Sequence, residues 1–127
     1  MLSWSPLEGL RILIVEDNFL LAEVTKDLLE HNGCTVIGPT GWLDSALQLA
    51  RVEQLDGAIL DINLHGERSF AVAEVLRDRG IPFMFVTGYD DATIVPAALR
   101  WSRRLSKPVS DQQLLAAAAE LFTVPAH

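Results

Sequence analysis

The sequence predicts an α/β protein, a single open sheet of five parallel strands wound with helices on both faces. Short continuous apolar runs alternate with segments whose apolar residues recur at helical spacing, about five times over in 127 residues. That length suits one domain with one core. With 50% hydrophobic and 21% charged residues, the composition is that of a globular chain rather than a disordered one.

The elements follow in order. "RILIV" (11–15) is an unbroken apolar run, the pattern of a strand buried on both faces. Leu20, Leu21, Val24, Leu28 and Leu29 then recur at helical spacing up to "HNG", where Gly33 can stop the helix. "CTVIG" (34–38) is a second strand, followed by a helix marked by Leu43, Ala46, Leu47 and Ala50. "GAIL" (57–60) and "PFMFV" (82–86) are further strands, with Phe70, Ala73, Val75 and Leu76 marking the helix between them. In "DDATIVPAALRW" (90–101) Pro96 would break a helix anywhere but its first turn, so a short or irregular fourth helix is expected. "RRLS" (103–106) gives the fifth strand and "SDQQLLAAAAELF" (110–122) the last helix, where Ser110 and Gln113 have capping-box spacing. The whole of 1–127 reads as one domain with its core over about 9–122, and no appended output domain is expected.

Charge and cysteine content exclude several classes. A net charge of −7 disfavours a phosphate backbone as partner, so no nucleic acid is expected. The one cysteine, Cys34, allows neither an internal disulfide nor a thiolate metal cluster of its own, which fits a reducing cytoplasm. "MLSWSPLEGL" has no leader pattern, and no window approaches the ~18 apolar residues of a membrane span.

Right-handed crossovers place every strand-to-helix loop on one edge of such a sheet, where ligands gather. Residues at that edge are Glu16 and Asp17 after the first strand, Asp61 after the third, Thr87 after the fourth and Lys107 after the fifth. With strand order 2-1-3-4-5, the first and third strands lie about 4.8 Å apart and the three carboxylates converge. Oxygen-only ligands suit a hard divalent ion such as Mg²⁺, held by carboxylates, waters and a phosphate. A hydroxyl and an ammonium on the neighbouring strands would face that phosphate. Taken singly, each residue has a bland explanation: acids in a solvated loop, an exposed lysine before Pro108, a threonine that packs well in a strand. Their shared edge is what points to phosphoryl chemistry.

Through "ILIVEDN", "AILDIN", "FVTGY" and "SKP", in the right order from Gly9 to Phe122, the chain resembles the receiver domains of bacterial two-component response regulators. The resemblance implies a flavodoxin-like (βα)5 fold. It implies that Asp61 is the phosphoacceptor, supplied by a histidine kinase or a phosphotransfer protein. By the same likeness Asp17 and Asp61 ligate Mg²⁺ directly, Glu16 acts through water, and the backbone carbonyl of Asn63 completes the protein ligands. Thr87 and Lys107 would contact the phosphoryl oxygens, and the Lys107–Pro108 bond would be cis. A carboxylate is a competent nucleophile for phosphorus, and a metal and an ammonium offset the charge of the equatorial oxygens. The protein would thus be no enzyme beyond its own phosphorylation and dephosphorylation.

Departures from the usual receiver pattern concern output. Arg104 stands where an aromatic is common, Arg100-Trp101 where Gly-Ala is, Leu64-His65 where Met-Pro is, and Val109 where Phe is. These look like a stand-alone subgroup named for a Phe-Ala-Thr-Gly-x-Tyr-type motif, in which Tyr89 would carry the aromatic's role. Trp101 with Arg100, Arg103 and Arg104 forms a basic-aromatic cluster suited to a protein partner. His65 has no second His or Cys at ligand spacing and reads as a loop residue. Three functions stay open: a switch read by a downstream protein, a phosphate sink or relay that no partner senses, and a binding module that is never phosphorylated. The intact acidic edge argues against the last. Monomer and phosphorylation-linked dimer are both compatible with the sequence.

Overall fold

The computed structural model describes residues 5–88 and 94–123. In chain order the elements are β1 (Arg11–Val15), α1 (Phe19–His31), β2 (Thr35–Thr40), α2 (Leu43–Val52) and β3 (Gly57–Asp61). Then come β4 (Asn63–Leu64), β5 (Glu67–Arg68), α3 (Phe70–Asp78), β6 (Phe83–Thr87), β7 (Arg103–Ser106) and α4 (Asp111–Phe122). Five strands form one parallel sheet in the order β2-β1-β3-β6-β7, while β4 and β5 form a separate antiparallel hairpin. Setting the hairpin aside, this is the expected 2-1-3-4-5 order.

The continuous apolar runs are explained by burial on both faces. Leu13 and Val15 of β1, with Leu60 and Phe85, pack against Ala46 and Ala50 of α2 and Val72, Ala73 and Leu76 of α3. Ile12 and Ile14, with Ile59 and Met84, pack on the other side against Leu29 of α1 and Leu114, Ala117, Ala118 and Phe122 of α4. Alternate side chains of each strand therefore enter different cores. Gly57 matters here because a Cβ would lie within 2.5 Å of Phe122 Cγ, so only glycine lets α4 close on β3.

Helix ends follow local chemistry. Asn18 Oδ1 accepts from the Leu21 amide at 3.0 Å and starts α1. Gly33, at φ +87°, follows its last turn, and Cys34 N–H closes back on the Leu29 carbonyl. The Ser110–Gln113 capping box of α4 forms with both reciprocal bonds.

Three features differ from the sequence reading. β2 runs on to Thr40 through a cis Gly38–Pro39 bond, which an edge strand tolerates. The hairpin β4–β5 was not expected. The first turns of α1 bury only Ala22: Leu20 is 70% exposed and Val24 50%, and Leu21, Val24 and Leu28 line an open groove. The expected irregular fourth helix corresponds, among the described residues, to a 3-10 turn at Ala97–Leu99 started by Pro96. Among the described residues no helix is long and apolar enough to cross a membrane.

Candidate functional site

The site is built where β1, β3 and β6 end. β1 delivers Glu16 and Asp17, and β3 ends on Asp61, which is only 6% exposed. One carboxylate oxygen from each of these three residues lies within 4.8 Å of the others. Such an oxygen-only donor set fits a hard divalent ion.

Lys107, just beyond β7, partly relieves the repulsion. Its Nζ is 3.0 Å from Asp61 Oδ2 and 3.0 Å from Glu16 Oε1. Burial works against the ammonium, but hydrogen bonds and attraction from Asp61 and Glu16 outweigh it and hold the lysine above its ordinary pKa. Burial pushes the Glu16 carboxyl up to about 7, reinforced by hydrogen bonding to Asp61 and by its negative charge, despite the Asn18 amide and Lys107. The Asn18 N–H donates to Glu16 Oε2 at 3.1 Å.

Backbone donors fix the other acids. Asn63 N–H reaches Asp61 Oδ1 at 3.3 Å, and His65 N–H reaches Asp17 Oδ2 at 3.0 Å. Asp61 is also held from behind: the buried Ser69 hydroxyl donates to its carbonyl at 2.6 Å. Ser69 escaped sequence reasoning because a serine before a helix reads as a cap, yet its hydroxyl makes no cap bond. Gly41 escaped it too; a Cβ there would come within 2.8 Å of Asp17 Cα and 3.0 Å of the Glu16 carbonyl oxygen.

The structure thus brings Glu16, Asp17, Asp61 and Lys107 together, with Asn63 beside Asp61. Thr87 is buried at the end of β6, but its hydroxyl donates to the Gly88 carbonyl at 3.1 Å rather than to the acids. The Thr87 carbonyl accepts from the Lys107 amide at 2.8 Å, tying the two strand ends together. The Lys107–Pro108 bond is cis, as the resemblance implies. Arg104 lies exposed on the edge strand β7, opposite Phe85, and Trp101 is 91% exposed with the Arg100 guanidinium 5.9 Å from its ring centre. Arg103 is drawn off to Glu120 at 2.8 Å. Tyr89 lies outside the described residues. The Cys34 thiol is buried and pushed up to about 11 by desolvation, which makes it unreactive.

Beside the acids opens an apolar groove of about 380 Å³ between α1 and the segment leading into α4. Leu21, Val24, Pro108 and Leu114 line its length, and Asp61 and Lys107 stand at its polar end.

Known proteins share this fold. The fold matches the solution structure of SdrG from Sphingomonas melonis Fr1 with a TM-score of 0.75 and 38% identity, over 88% of this chain and 97% of that one. The polar-differentiation response regulator DivK of Brucella anthropi is 35% identical over 82 residues, 61% of this chain and 66% of DivK. The transcriptional regulatory protein YbdJ of Bacillus subtilis is 31% identical over 87 residues, 67% of this chain but 38% of YbdJ, so the chain spans less than half the length of that relative. The family model for the response regulator receiver domain matches residues 12–119, from the first core strand into the last helix. The chain belongs to the response regulator receiver domain family.

Proposed function

We propose that this protein is a phosphorylation-dependent signalling switch whose phosphoacceptor is Asp61, charged in the presence of Mg²⁺ by a histidine kinase or a phosphotransfer protein. The observation that carries the reading is the position of the Asp61 carboxylate, which ends a buried strand among two further acids and a lysine at 3.0 Å.

In the reaction an Asp61 carboxylate oxygen attacks the phosphorus of the donor's phosphoimidazole. The new O–P bond forms as the P–N bond breaks, and the neutral imidazole leaves after taking up a proton from solvent. No general base is needed, since a carboxylate has an electron pair to offer. Glu16, Asp17 and Asp61, with the Asn63 carbonyl, would hold Mg²⁺, which when bound supplies positive charge to the phosphoryl oxygens in a loose, in-line transfer. Lys107 adds an ammonium on the same side. The Asn63 amide on Oδ1 keeps the nucleophile from rotating away, while the bond from Ser69 holds the Asp61 backbone. Water later hydrolyses the acyl phosphate.

The switch follows from Thr87. Its hydroxyl faces the Gly88 carbonyl, and a phosphoryl group on Asp61 offers it a stronger, charged acceptor. Turning toward that group would shift the end of β6 and alter the face bearing Arg104 and Trp101. The groove beside Asp61 and the exposed Phe19 and Leu20 on α1 support a protein, rather than a small molecule, as phosphodonor. Reduction with borohydride after phosphorylation converts an aspartyl phosphate to homoserine, and peptide mapping should find that residue at 61. Homoserine at another acid would overturn the assignment. A downstream protein that binds phosphorylated and free forms equally would leave a phosphate sink instead of a switch.

A further inference from the structure

The β4–β5 hairpin turns through His65 and Gly66, at φ 49° and 89°, the left-handed pair of a two-residue type I′ loop. Glycine takes that conformation freely, whereas an L side chain at the first position adopts it at a cost. Asparagine is the usual choice there. The backbone geometry aims the His65 N–H at Asp17 Oδ2, 3.0 Å away, which fixes the orientation of that carboxylate.

What holds His65 in place comes from a third loop. The Trp42 ring stacks on the His65 imidazole with ring centres 3.8 Å apart and planes 16° from parallel. Trp42 stands between β2 and α2 and remains 60% exposed, so it is not a core residue. Its loop is fixed against the acids: Gly41 packs on the Asp17 backbone, the Glu16 amide donates to the Thr40 carbonyl at 2.9 Å, and the Trp42 amide donates to Thr40 Oγ1 at 3.3 Å.

We propose that the Trp42–His65 stack is a positioning device for the cation site, holding the hairpin tip so that the His65 N–H sets the Asp17 carboxylate. This rests on the reading of Glu16, Asp17 and Asp61 as the Mg²⁺ site. Neither ring supplies one of the carboxylate ligands; the stack acts through the backbone of residue 65 and offsets its left-handed conformation. Outer partners of metal ligands commonly govern affinity in this way.

The test is Mg²⁺ titration by calorimetry of the full chain, with thermal unfolding in chelator to check each variant's fold. Trp42→Ala should weaken Mg²⁺ binding on the order of 10-fold, while Trp42→Phe, which keeps a ring, should stay close to the parent protein. At position 65 the order is diagnostic. His65→Gly keeps the N–H and takes φ +49° freely, so it should bind Mg²⁺ better than His65→Ala, which loses the stack and keeps the strain. A role in general stability alone would lower the unfolding midpoints of these variants and leave their Mg²⁺ affinity, measured on folded protein, unchanged. The double variant Trp42→Ala with His65→Gly should bind better than Trp42→Ala alone. Equal Mg²⁺ affinity for Trp42→Ala, His65→Ala and the parent protein would overturn the proposal. Failure of the parent protein itself to bind Mg²⁺ would instead overturn the reading of the site on which it rests.

Discussion

Lys107 Nζ stands 3.0 Å from an oxygen of Asp61 and equally 3.0 Å from an oxygen of Glu16, so one ammonium bridges two carboxylates that end different strands. Lys107→Ala removes the bridge and leaves both acids facing each other in a poorly solvated pocket. The metal-free protein should lose about 1–3 kcal/mol of stability, while Mg²⁺ binding survives because the carboxylate ligands remain. Acceptance of phosphate should continue more slowly, with the downstream response uncoupled. Urea unfolding in chelator and Mg²⁺ titration on the same variant check the two halves separately.

Glu16 makes stability depend on pH. Its carboxyl is raised from 4.5 to about 7 in the folded state, so between these values the unfolded chain has lost a proton that the folded chain keeps. Stability without metal should therefore fall as pH rises from about 4.5 to about 7, by roughly 3 kcal/mol at most from this group. Lys107 acts at the other end of the scale: its raised pKa gives stability that is present at neutral pH and lost only in strong alkali. Saturating Mg²⁺ should flatten the decline toward neutral pH, because it stabilises the ionised carboxylate. Unfolding free energies at pH 5 and pH 7.5, with chelator and with Mg²⁺, measure the effect; a rise in stability toward pH 7.5 in chelator would reverse its sign.

Two glycines should fail in different ways. Gly41→Ala places a Cβ 2.8 Å from Asp17 Cα, which must shift an acid of the proposed cation site; weaker Mg²⁺ binding and slower phosphorylation should exceed any loss of stability. Gly57→Ala drives a methyl into the Phe122 ring, away from the acids, and should cost about 1–3 kcal/mol of stability with Mg²⁺ affinity little changed. Thermal unfolding and Mg²⁺ titration of both variants make the comparison.

The α4 cap gives a further prediction confined to stability. Ser110→Ala removes the acceptor for the Gln113 amide and should cost about 1 kcal/mol, read as a lower unfolding midpoint with phosphorylation intact.

Much of this was legible in the sequence, for identifiable reasons. β1 and β3 are buried on both faces, so "RILIV" and "GAIL" announce themselves as unbroken apolar runs, and the acids after them are fixed by the crossover rule. β2 was read two residues short because Pro39 looks like a strand end, whereas an edge strand carries it. The β4–β5 hairpin was missed because two-residue strands show no alternation and His65 fills the place where asparagine would have signalled a turn. Apolar spacing in α1 suggested a buried face, but Leu20, Leu21 and Val24 are exposed, since periodicity records which residues share a side and not what covers it. The stack of Trp42 on His65 joins loops far apart in sequence and leaves no local trace.

Phosphoryl transfer to Asp61 at a Mg²⁺ site is the proposed chemistry of the acidic edge. Its most direct test is the intact mass of the protein after incubation with a phosphodonor, acetyl phosphate or a phosphorylated histidine phosphotransfer protein, with and without Mg²⁺, beside Asp61→Asn. One phosphoryl adduct that needs Mg²⁺ and is absent from Asp61→Asn is the predicted result. An adduct that persists in Asp61→Asn, or none from either donor in folded protein that binds Mg²⁺, would contradict it.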